Sequence, residues 1–279
     1  MAICPAALLA HDFGEIRQRY TKRDVILYAL GLGLGADPDD LGLVYEHGLL
    51  PLPSFAVTLA SPGMWIRDPR FGVDFTKLVH SAQRATFHAP LPAHGEITGT
   101  ARVTALADRG EGKGAVLTLE RRISDGATGL LLCTVQQTLL LRGDGGFGGT
   151  PPERSDSVIP DRIADLVATT TVSPRAALIY RLSGDWNPLH ADPASARAAG
   201  FDRPILHGLA SYGIAAIAVA RAAGVSPTAV RHLACRFSGI VFPGDTLDFR
   251  IWRTAGALAF AAHVGDRKVL DDGLITLES

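Results

Sequence analysis

The chain has 279 residues, 47% hydrophobic and 20% charged, enough apolar material for a buried core and too much for disorder. That length suits one large domain or two of about 140 residues. The net charge of −1 and pI near 6.8 leave no overall field to hold nucleic acid or an anionic membrane, so neither is expected as a partner.

The opening "MAICPAALLAHDFGE" has an apolar patch but no basic segment before it, so it does not read as a secretory leader. "KRDVILYALG" reads as helical, which removes "GLGLGA" (31–36) as a dinucleotide loop, since no strand precedes it. From His47 to Ile66 no Asp, Glu, Lys or Arg occurs, but Pro51, Pro53 and Pro62 break the run, and a membrane span is rejected. An apolar helix is expected there instead. His80 and His88 read on their own chemistry as strand histidines, and Arg121 and Arg122 as a solvated strand face. Residues 93–142 give three strands with turns at Asp108–Gly114 and Ser124–Gly129. "GEGKGA" (110–115) lacks the Ser or Thr of a phosphate loop and reads as a hairpin turn with Lys113 exposed.

"LLRGDGGFGGTPPERSDS" (140–157) has the Gly, Pro and Ser density of a linker, and the division drawn is 1–142, a linker at 143–158, and 159–279. Beyond it, an apolar helix at Gly208 is followed by four strands with turns near Pro243–Gly244, Ala255–Gly256 and Asp271–Gly273. The two halves look like a repeat at an offset of 160 residues. "HGLLPLPSFAVTLA" from His47 answers "HGLASYGIAAIAVA" from His207, Tyr20 answers Tyr180, and Asp24 answers Asp185. "PAHGEITGTARVT" (92–104) likewise resembles "PGDTLDFRIWRT" (243–254). The pattern is an α+β architecture, a helix wrapped by a meandering antiparallel sheet, twice. Cys4, Cys133 and Cys235 are widely spaced without a CxxC pair, which argues for reduced thiols in a cytoplasm-like compartment and against zinc or disulfides.

The densest chemistry lies in "SGDWNPLHADPASARAAGFDRPILHGL". Asp185, Asn187 and His190 fall within six residues, and Pro188 forbids a helix interior or central strand. Five residues turn about 140° around a helix, so only a shaped loop can aim Asp185 and His190 the same way. One reading is an Asx turn in which Asp185 caps backbone amides. The other is an acid–base pair, His190 titrating near neutrality, beside the Gly208 N–H at a helix start.

This motif resembles that of the (R)-specific enoyl-CoA hydratases, hydratase 2, in the MaoC-like dehydratase superfamily: an aromatic (Tyr180), a spacer, then "SGDWNPLH" and "RPILHGL". "LPSFAVTL", "LVHSAQRATFHAPLPAHGEITGTARV" and "RFSGIVFPGDTL" extend the likeness to the hydratase domain of the peroxisomal multifunctional enzyme of β-oxidation. The resemblance implies a double hot-dog fold whose first repeat has lost its catalytic groups and helps bind acyl-CoA. It implies that Asp185 and His190 hold the attacking water, that Asn187 orients them and that the Gly208 N–H receives the thioester oxygen. Trp186, Pro188 and Leu189 would line the acyl pocket, Phe237 would lie near the coenzyme, and His80, Ser81 and Lys113 would meet the ligand. "HSAQ" departs from the usual His-Gly-x-Gln at Ser81.

The expected reaction is reversible hydration of a medium- or long-chain trans-2-enoyl-CoA to (3R)-3-hydroxyacyl-CoA, with no metal or redox cofactor. Rival readings are a branched, sterol side-chain or dicarboxylic enoyl-CoA substrate, a hot-dog thioesterase, and a non-catalytic acyl-CoA-binding protein. "ITLES" carries no Ser-Lys-Leu address, and a stand-alone cytoplasmic homodimer is expected, with a monomer as the alternative.

Overall fold

The computed structural model describes residues 3–153 and 156–278; Arg154 and Ser155 of the expected linker lie outside the described residues. The first half runs α1 (Pro5–Leu9), β1 (Glu15–Tyr20), α2 (Lys22–Gly31), α3 (Leu41–Val44), a series of short 3₁₀ turns, then β2 (Leu78–Phe87), β3 (Gly95–Asp108), β4 (Ala115–Asp125) and β5 (Leu131–Leu141). The second runs β6 (Leu166–Thr171), α4 (Ala176–Tyr180), α5 (Pro193–Ala198), α6 (Gly208–Ala222), then β7 (Val230–Phe237), β8 (Thr246–Thr254), β9 (Ala257–Val264) and β10 (Arg267–Leu277).

All ten strands form one antiparallel sheet in the order β1-β3-β4-β5-β2-β7-β10-β9-β8-β6. The order reads as the same five-strand pattern from either edge, meeting where β2 pairs with β7 through Ala82↔Arg236 to Thr86↔His232. This is a double hot-dog. Equivalent strands of the two halves start 136 to 152 residues apart, not 160. Tyr20 ends a strand and Tyr180 ends a helix, so that sequence pairing is not a structural one. The expected β3–β5 turns are where alternation stops. In the second half the last turn lies at Gly265–Asp266, and Asp271–Gly273 is a bulge inside β10 with Asp272 at φ 48°.

The halves differ most in their helices. α6 is apolar around its whole circumference and buried from Ala210 to Ala220, because the sheet curls around it. Tyr212 reaches from it to donate to the Leu233 carbonyl on β7 at 2.8 Å. The apolar helix expected after His47 does not form. Pro53 opens a six-residue 3₁₀ segment, Pro53–Thr58, which ends as Leu59 turns extended and Ala60 takes φ 49°. Tight 3₁₀ geometry does not sustain long runs, and Pro62 follows just beyond, where a helix could not continue.

Arg121 caps this segment. Contrary to a solvated strand face, it is 5% exposed, and its guanidinium donates to the Leu59 carbonyl and, at 2.8 Å, to the Val57 carbonyl. Arg122, one pleat on, is exposed as expected. Two smaller apolar clusters cover the outer face of the sheet, one under residues 3–13 and 65–78 and one under Ile159 and Ala164. The three cysteines are free thiols, Cys133 and Cys235 buried. Among the described residues no helix is long and apolar enough to cross a membrane.

Candidate active site

The site loop starts where α4 tightens into a 3₁₀ turn, Arg181–Ser183, closed by Gly184 at φ 112°, a conformation that side-chained residues rarely adopt. Asp185 then accepts the Asn187 N–H at 3.1 Å, and Asn187 accepts the Leu189 N–H at 3.1 Å. Pro188 opens the 3₁₀ turn Pro188–His190. The Asx turn and the convergent site are therefore the same object: chained side-chain caps fold the loop so that Asp185 and His190 come to one side. Ligand atoms of Asp185, His190 and His207 all lie within 4.8 Å of one another.

His190 is 8% exposed, and its Nδ1–H donates to the Ile205 carbonyl at 2.9 Å, which leaves Nε2 as the basic nitrogen. Burial pulls its pKa below the ordinary 6.5, opposed by that carbonyl and by Asp185. Leu206 N–H in turn bonds the Val241 carbonyl at 2.7 Å, tying the strand-like approach to α6. Gly208 is the first residue of α6. Ala210 and Ser211 both donate to the His207 carbonyl, at 3.0 and 3.2 Å, so the Gly208 and Leu209 amides are the donors of the first turn that the helix does not use. A Cβ on Gly208 would stand 3.4 Å from the Phe237 ring.

The first half supplies His80. Its Nε2–H is shared between the Ala82 carbonyl (3.1 Å) and Gln83 Oε1 (3.0 Å), and Gln137 donates to Nδ1 at 3.4 Å. Burial pushes this imidazole down to about 4, with Asp185 near enough to oppose the shift. The β2–β5 register slips between His80 and Ala82, so Ser81 sits in a bulge, its hydroxyl on the Thr138 carbonyl at 3.1 Å. His80 meets the edge of Phe237, centroids 5.0 Å apart. Phe237 thus touches His80 from one half and Gly208 from the other.

The remaining predicted residues sit further out. Lys113 is exposed on the β3–β4 turn, at the sheet end shared by Leu78, Leu141 and Ala115. Trp186 is 58% exposed with Arg181 over its ring at 4.4 Å, Pro188 is exposed and Leu189 half-buried. Sequence reasoning missed the side chain of His207, treating it only as a helix-start marker. It is 1% exposed and stacked on His190. The sole signal was its position before Gly208.

Residues 18–143 match the model of the MFE-2 hydratase 2 N-terminal domain, and residues 157–272 that of the MaoC-like domain. The chain is 41% identical over 270 residues to 3-hydroxyacyl-thioester dehydratase Y of Mycobacterium tuberculosis, covering 92% of each chain. It is 38% identical over 281 residues to the peroxisomal enoyl-CoA hydratase 2 of Arabidopsis thaliana, covering 93% of this chain and 90% of the relative. A solved MaoC-like dehydratase from Phytophthora capsici superposes with a TM-score of 0.85 at 27% identity, covering 99% of both chains. With two successive domain models in the family's order and relatives at this identity along nearly their whole length, the chain belongs to the MaoC-like hydratase 2 family.

Proposed function

We propose that this protein is an enoyl-CoA hydratase that reversibly adds water across trans-2-enoyl-CoA to give (3R)-3-hydroxyacyl-CoA, on medium or long acyl chains. The observation that carries the reading is the convergence of Asp185 and His190 on one loop against His207, the residue before the unused amide of Gly208. Asp185 and the Nε2 of His190 hold a water between them. As Asp185 and His190 take a proton from it, its oxygen bonds C3 and the C2–C3 π electrons move onto the thioester carbonyl. When the enolate collapses, the Asp185–His190 acid–base pair delivers a proton to C2. The Gly208 N–H donates to the thioester oxygen while it carries negative charge. One such donor is worth roughly 3 kcal/mol of barrier. Asn187 serves by holding the turn.

His80, Ser81, Phe237 and Lys113 share the coenzyme side, with Lys113 a mobile point charge for phosphate. Trp186, Pro188 and Leu189 border the acyl entrance from the outside of the loop. Residues 1–142 bind without catalysing, and 159–279 carry the chemistry. Two imidazoles and a carboxylate this close are also a metal-ligand set. We read them as an acid–base group needing neither metal nor redox cofactor. The protein acts as a cytoplasmic homodimer.

The test is incubation with crotonyl-CoA and a ten-carbon trans-2-enoyl-CoA, the product resolved on a chiral column, beside Asp185→Ala and His190→Ala. A (3R)-hydroxy product lost in both variants supports the reading. Release of free CoA without hydration would make it a thioesterase instead.

A further inference from the structure

The His207 ring lies face to face with that of His190, centroids 3.8 Å apart and planes 27° from parallel. Its Nε2–H donates to the backbone carbonyl of Asp185 at 3.3 Å. One side chain therefore touches both members of the acid–base pair, one through its ring plane and the other through its peptide. Its Nδ1 is buried and meets no partner among the described residues. Tyr180 packs against the same ring, centroids 5.0 Å apart and tilted by 47°. His207 also caps α6, so its backbone sets the helix start from which Gly208 donates.

We propose that His207 is a positioning residue for the hydration step, a permanently neutral imidazole that fixes the Asp185 peptide and the His190 ring plane without itself exchanging a proton. Geometry enforces the neutrality. A second proton would have to sit on Nδ1, a buried donor with no acceptor, directly beside the ring that must itself take up charge during the reaction. The groups that face it are Tyr180, Asp185, His190 and, further off, Arg181. Burial first and His190 second push its pKa down to about 4, with Asp185 opposing, so it is uncharged near neutral pH. An imidazole with one committed N–H suits this role better than an apolar ring, which cannot bond the Asp185 carbonyl. It also suits it better than a lysine or arginine, whose fixed charge would oppose protonation of His190. A misplacement of about 1 Å in a catalytic pair costs on the order of 100-fold in rate.

The inference rests on the acid–base reading of Asp185 and His190, and the experiment separates the two. His207→Phe keeps a flat ring over His190 and loses the donor. His207→Gln keeps an N–H where Nε2 stands. Steady-state kinetics with crotonyl-CoA should show kcat down about 100-fold in the Phe variant with KM within about twofold, and recovery to within about tenfold of wild type in the Gln variant. His207→Leu replaces the Phe variant if that one lacks a cooperative melting transition. Wild-type kcat in the donor-free variant, or a Gln variant no better than it, overturns the proposal. Full turnover in Asp185→Ala or His190→Ala overturns the acid–base reading as well.

Discussion

Phe237 presents its ring to the imidazole of His80 at a centroid separation of 5.0 Å and a tilt of 74°, across the β2–β7 seam where the two halves meet. The same ring lies against Gly208. An edge-to-face aromatic pair is worth about 0.5–1.5 kcal/mol beyond its buried area. Phe237→Ala should therefore raise KM for crotonyl-CoA by about threefold to tenfold, with a smaller effect on kcat. Unchanged KM would remove Phe237 from the coenzyme side of the site.

The imidazoles of His80 and His207 have pKa values of about 4, displaced downward chiefly by burial. In the unfolded chain both titrate near 6.5, so between pH 6.5 and 4 the unfolded state binds more protons and stability falls as pH falls. Above 6.5 their contribution is complete. Each should cost roughly 1 kcal/mol per pH unit across that window. Urea unfolding at a series of pH values checks this, and His80→Gln should flatten the slope. The acid limb of kcat/KM should fall below pH 6.5, the direction in which burial moves His190.

Among the described residues Arg121 meets no carboxylate, and it holds two main-chain carbonyls in the core. Arg121→Ala should leave both acceptors unpaired and cost about 3–5 kcal/mol by urea unfolding. A loss within about 0.5 kcal/mol is what a surface arginine gives, and would contradict the capping role.

Gly213 on α6 faces α2. A Cβ there would lie 2.7 Å from Leu32 Cδ1 and 2.9 Å from the Tyr28 hydroxyl. Gly213→Ala should cost about 1–3 kcal/mol through overpacking. Adding Leu32→Ala should return part of that loss, so the double variant should be more stable than additivity allows, as thermal melts would show.

Dialysis against a strong chelator should leave turnover unchanged, because in the proposed chemistry Asp185 and His190 move the protons and the Gly208 N–H receives the charge, with no metal called for. Loss of activity restored by a divalent ion would instead turn the Asp185, His190 and His207 cluster into a metal centre.

The strands and the loop chemistry are legible in the sequence because their signals are local. Alternation between β3 and β5 stops at Asp- and Gly-rich turns, and "GDWNPLH" holds its own caps. Where two such signals crowd together, the sequence misleads: Gly265–Asp266 turns the chain and Asp271–Gly273 bulges it, with the same residue types. Arg121 and Arg122 could not both face water once one face of β4 is core, since neighbouring residues on a strand point oppositely. The contacts that complete the site leave no mark in the text. The acceptor for His190 is the main-chain oxygen of Ile205, fifteen residues on, and any residue there would offer it. The ring of His207 is brought to His190 by α6 docking into the sheet.

Joining two hot-dogs in one chain has a consequence that the broken internal symmetry makes visible. In a pair of identical chains each substitution is made twice, so neither copy can give up its helix or its acid–base loop while the other keeps them. Covalent fusion lets each copy drift on its own. Here one copy has exchanged a fifteen-residue helix for the six residues Pro53–Thr58, while the other keeps α6 and the loop that faces it. The inheritance of the two copies is shared, and their obligations are not.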